Sequence, residues 1–95
     1  MKPGERIYVY YAADFSVRYY LRNQDIVRYT GRSHRTAPDL YIADIDPLIH
    51  TSGRLWLFFT HCYGNECNLI RDYTSQSRSV TLTAGSSDVW LYLTQ

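Results

Sequence analysis

The sequence lacks most of the features that announce a function at first sight. Two cysteines, Cys62 and Cys67, are too few for a disulfide-rich scaffold. The glycines Gly4, Gly31, Gly53, Gly64 and Gly85 stand singly between elements, so no glycine-rich phosphate loop is present, and G-x-S-x-G does not occur. Ten basic residues against nine acidic ones leave a formal charge of +1, which provides no long-range field suited to a polyanion. The longest run of strong hydrophobes, Leu55 to Phe59, falls far short of the ~20 residues needed to cross a bilayer. The N-terminus carries no apolar signal segment, and the chain as given is expected to be soluble. With no linker, repeat or low-complexity tract in 95 residues, positions 1–95 are read as one domain.

What is present is an excess of two residue types. Tyrosine occurs ten times, and nine of the ten basic residues are arginine, with Lys2 the one lysine. Both side chains combine apolar contact area with a polar tip and so suit half-buried surfaces, interfaces and thin cores. Hydrophobic residues at 45% against 20% charged place the chain among folding sequences.

Ile7 to Tyr11 is continuously β-branched or aromatic and reads as a strand. Asp14 is an N-cap for a helical segment with Phe15, Tyr19 and Arg22 at helical spacing. Asp25 to Tyr29 reads as a second strand leading into a turn at Thr30 to Ser33. Pro38 then opens a second helix that Pro47 is expected to interrupt or restart. Arg54 to Thr60 has the unbroken apolar character of a central strand covered on both faces. After a loop from His61 to Gly64, a helix from Asn65 to about Ser75 places Cys67, Ile70 and Tyr73 on one face. Val80 with Leu82, and Val89 to Leu93, form a closing hairpin around Ala84 to Ser87. This pattern predicts an α/β fold of five strands and three helices. The expected architecture is a three-layer sandwich, with a mixed but mainly parallel sheet, helices on both faces and a C-terminal β-hairpin. Ile7–Tyr11 and Leu55–Thr60 are expected to be adjacent parallel strands.

His61, Cys62 and Cys67 follow the carboxyl end of the best core strand, where open α/β sheets place their ligands. The Cys-x4-Cys spacing lacks a second ligand pair, so neither a metal nor another cofactor is expected, and a thioredoxin-like motif needs two intervening residues. A local disulfide and two free thiols both remain open. Arg28, Arg32, His34 and Arg35 form the densest basic run, suited to a phosphate, although a solvated loop beside Asp39, Asp44 and Asp46 is the commoner explanation. The K/R-G-F/Y pattern of RNA-binding sheets is absent, which argues against nucleic acid. The candidate ligand surface is therefore the loop from His61 to Glu66 with Arg32 and Arg35. Both loops are expected to open on one edge of the sheet, where the arginines meet a phosphate or carboxylate and His61 donates a hydrogen bond.

Three segments together carry a resemblance: Gly4 to Tyr20 (GERIYVYYAADFSVRYY), Gly53 to Glu66 (GRLWLFFTHCYGNE) and Ser86 to Leu93 (SSDVWLYL). In order and spacing they resemble the soluble C-terminal domain of multi-pass bacterial glycosyltransferases, the protein mannosyltransferase-like group of glycosyltransferase family 39. The resemblance implies a parent protein that transfers sugar from a polyprenyl-phosphate donor, with its catalytic carboxylates on a membrane-region loop absent from this chain. It implies a non-catalytic, extracytoplasmic (periplasmic) accessory domain that docks on the membrane domain of the same polypeptide or assists acceptor binding. His61 and Glu66 fall in the family's loop after the core strand, while Cys62 and Cys67 are not part of its pattern. The alternative is a freestanding α/β interaction module forming a homodimer through its tyrosine-rich face.

Overall fold

The computed structural model describes residues 5–10, 26–31, 39–51, 53–85 and 89–95. Five strands, β1 (Glu5–Val9), β2 (Ile26–Thr30), β3 (Leu55–Thr60), β4 (Val80–Gly85) and β5 (Val89–Thr94), form one sheet in the order β2-β1-β3-β5-β4. Two helices are described, α1 (Asp39–Ile49) and α2 (Glu66–Ser75). The chain is thus an α/β fold, and the expected helix around Asp14 to Arg22 lies outside the described residues.

All six residues of β3 are buried, as its unbroken apolar run requires. It pairs parallel with β1 (Tyr8 beside Leu57) and antiparallel with β5 (Leu57 beside Tyr92). The expectation of a mainly parallel sheet is corrected: β1 pairs parallel with β2 and β3, but β5 is antiparallel to both of its neighbours. The physical reason is the closing hairpin. Its short turn forces β4 and β5 to run oppositely, and β5 rather than β4 then takes the place beside β3.

Alternation along the strands puts Tyr8, Tyr10, Leu57, Phe59, Trp90 and Tyr92 on one face, and both helices pack there. Tyr10 contacts Tyr41 of α1 and Phe59, each with ring centroids 6.2 Å apart. Ile7, Val9, Trp56 and Phe58, on the opposite face, are also buried. In α1, Tyr41, Ile45 and Ile49 recur every four residues and bury one stripe. Pro47 does not interrupt this helix, contrary to the sequence expectation. It costs one backbone bond, roughly 3 kcal/mol in a helix interior, but only two residues remain after it, and the buried stripe runs through it.

Three of the nine arginines work at the amino edge of the sheet. Arg54 makes a bidentate pair with Glu5 (2.6 and 2.8 Å) while lying over the Trp56 ring. Arg6 donates to the Leu48 carbonyl (3.0 Å), and Arg78 donates to the carbonyls of Ile49, Thr51 and Gly53 at the end of α1 and beyond. These cations satisfy carbonyls that the helix terminus leaves without partners.

The tyrosine-rich core makes stability sensitive to alkali. Burial, then the charge of Asp44, holds the Tyr8 phenol above its ordinary value of 10.0, and a hydrogen bond to Asp46, then burial, raises Tyr73. A folded-state value above the unfolded one gives stability that is complete below pH 10 and is lost as pH rises toward the folded value. The urea midpoint is expected to be level from pH 8 to 9.5 and to fall between pH 10 and 11. A midpoint flat across this range would contradict the assignment.

Candidate functional site

At the carboxyl edge, β1 and β3 lie side by side, and the strands next in sequence, β2 and β4, lie on opposite sides of this pair, the position where open α/β sheets form a crevice. Here that crevice is occupied by the protein's own side chains. Tyr10, one residue past β1, donates through its hydroxyl to Glu66 Oε1 and accepts the Tyr63 amide at 3.2 Å. Glu66 is 4% exposed and sits in the first turn of α2. Glu66 therefore faces inward and ties the loop to the sheet. His61 is exposed and follows β3 with φ 54°, a left-handed backbone that non-glycine residues adopt at a cost of order 1 kcal/mol. Cys62 and Cys67 form a disulfide, with Cα atoms 5.9 Å apart, that pins the loop to α2. Arg32 and Arg35 lie outside the described residues. Gly31, at the end of β2, is on the same edge as His61, with β1 between the two strands.

An open cleft of about 380 Å³ lies one strand further along, between α2 and β5. Its floor is Phe59 and Tyr92, whose rings meet edge to face at 5.9 Å. Trp90 forms one wall, the disulfide closes one end, and Asn68 and Arg71 reach in from α2. Asn68 and Arg71 are separated by one helical turn, so their polar groups converge on one opening. The Tyr92 hydroxyl, then the Asp72 carboxylate, hold the Arg71 guanidinium above its ordinary range against the opposing effect of burial. Arg71 is thus a fixed positive charge beside an aromatic wall, and it donates to Asp72 at 3.2 and 3.3 Å on its outer side.

Sequence reasoning located the neighbourhood of this cleft through Cys62, Cys67 and the end of β3, but missed Asn68, Arg71, Trp90 and Tyr92. Trp90 and Tyr92 alternate with Val89, Leu91 and Leu93, and this period of two was the available signal that the two aromatic residues share a face. Among the described residues, no group of three or more His, Cys, Asp or Glu is placed to hold a metal ion.

The disulfide closes a loop of sequence separation 5. By chain entropy a loop this short contributes about 2 kcal/mol. Reduction, or the paired Cys62→Ser and Cys67→Ser variant, is expected to lower unfolding free energy by about that amount in urea titrations, and equal stability of both forms would contradict it. No family model matches the chain, and no curated protein or solved structure matches it, which leaves the chemistry of these residues as the guide to its function.

Proposed function

We propose that the chain is a non-catalytic, extracytoplasmic accessory domain of a polyprenyl-phosphate-sugar-dependent membrane glycosyltransferase, and that it helps to bind the acceptor in the cleft between α2 and β5. The observation that carries this reading is the convergence of Arg71 and Asn68 beside the half-buried ring of Trp90. An aromatic face packs on the apolar side of a sugar ring, an amide exchanges hydrogen bonds with its hydroxyls, and a guanidinium grips a carboxylate or phosphate through two parallel bonds. The acceptor class is accordingly an acidic saccharide. The Cys62–Cys67 disulfide supports an oxidising, extracytoplasmic setting, and the three-segment resemblance supports the glycosyltransferase parent.

A three-layer sandwich with helices on both faces belongs to the same proposal. The burial of Ile7, Val9, Trp56 and Phe58 away from α1 and α2 supports it. So does the right-handed crossover rule, which sends the β1–β2 connection to the face opposite α1. The helical spacing of Phe15, Tyr19 and Arg22 fits that connection.

The homodimer is the second reading, favoured by β4. This edge strand exposes five of its six residues, with Leu82 54% exposed.

Calorimetric titration with glucuronate is expected to show binding that Arg71→Ala weakens about tenfold, in keeping with loss of a charge-assisted pair. Neutral glucose is expected to bind this cleft more weakly. Unchanged affinity in Arg71→Ala would remove the cleft from the proposal. The encoding gene is further expected to place membrane spans upstream in the same reading frame; a freestanding frame together with a concentration-dependent dimer in sedimentation would favour the second reading.

A further inference from the structure

A second recess, of about 350 Å³, lies on the same face of the sheet at its other side, where α1 covers β1 but leaves Val27 and Tyr29 of β2 exposed. Tyr8 and Tyr29, neighbours in register, lie along one side, with Asp44 and Pro47 from α1 opposite and Thr30 and Gly31 at the end. Tyr8 is 2% exposed, and its hydroxyl is the one buried side-chain polar atom among the described residues that has no hydrogen-bond partner. Leaving such a group without a partner is destabilising, while every other buried side-chain hydroxyl among the described residues is satisfied. Gly31 lies directly over it: a Cβ at that position would stand 2.3 Å from the Tyr8 oxygen.

We propose that this recess is a second binding site, which takes a hydroxyl-bearing neutral sugar unit with the Tyr8 hydroxyl as its buried partner. The choice of ligand class follows from the polarity of the walls. A phenol hydroxyl presents both a proton and lone pairs. A bare anion accepts the proton but offers nothing to the lone pairs, and an ammonium group does the reverse. A sugar hydroxyl accepts from Tyr8, and its neighbour on the ring donates toward Asp44. The exposed Tyr29 ring offers the flat apolar surface that the carbon face of a sugar covers. Burial keeps the Tyr8 phenol neutral, so it stays a donor throughout the physiological range.

The test is a titration of the full chain with glucose and with mannose, followed through the amide signals of Thr30 and Gly31, with inorganic phosphate and ethanolamine as comparison probes. Saturable shifts at Thr30 and Gly31 are expected with the two sugars and not with the ions. Tyr8→Phe is expected to raise the unfolding temperature, because it deletes the unpaired hydroxyl, and to weaken sugar affinity about tenfold. If Tyr8→Phe does not fold, Asp44→Asn, at an exposed helix position, carries the same expectation of weakened affinity. A stabilised Tyr8→Phe that binds sugar unchanged would show a sealed hydroxyl outside any site and overturn the proposal. So would saturation by phosphate or ethanolamine in preference to sugar, or the absence of any saturable shift. The cleft between α2 and β5 reports separately, through Asn68, Arg71 and the Trp90 indole on titration with glucuronate, so either site can fail without the other.

Discussion

A strand whose six side chains are all buried has to be covered on both faces and paired on both edges, and β3 sets that demand for the whole chain. Its parallel partner β1 brings a second run of fully buried residues, and its antiparallel partner β5 supplies the aromatic floor of the cleft. Helices α1 and α2 then pack on each other above the face that carries Leu57 and Phe59. Much of the apolar burial available to a chain of this size is concentrated at this line of residues.

Among the described residues, three arginines and one tyrosine hold opposite edges of the sheet. Arginine stitches the amino edge, where Arg6, Arg54 and Arg78 reach carbonyls and a carboxylate across long sequence separations. Tyrosine organises the carboxyl edge, where Tyr10 joins β1 to the loop after β3 and to α2. Both serve mainly to hold the fold, but the arrangement leaves the carboxyl edge with two recesses, one presenting a cation and the other a carboxylate.

Local pattern revealed the parts of this fold that are local. The apolar run at Leu55–Thr60, the helix from residue 66 to 75 and the terminal hairpin follow from unbroken apolarity, helical spacing and turn composition. The insertion of β5 between β3 and β4 was not legible, because a hairpin places either strand against a sheet edge with the same residues. Pro47 misled because its cost is intrinsic to the residue, whereas the packing of Tyr41, Ile45 and Ile49 that outweighs it is tertiary. The loop after β3 was correctly placed at the carboxyl edge of the central strands. The inward turn of Glu66 was hidden, since its partner Tyr10 lies 56 positions away. Arg71 was passed over for the same reason: nothing within its own helix indicates Trp90 or Tyr92.

The place of β5 in the sheet has a consequence for biosynthesis. This strand comes last of the five in sequence yet is an interior strand, and β4, made before it, reaches the rest of the sheet only through it. During synthesis the inner edge of β3 therefore stays unpaired until residues 89–94 have emerged, presenting apolar surface and open backbone groups to whatever else is nearby. Closure of the sheet is a late, non-local event, and the nascent chain passes through a stage in which a chaperone or a neighbouring polypeptide competes for the place that β5 finally takes.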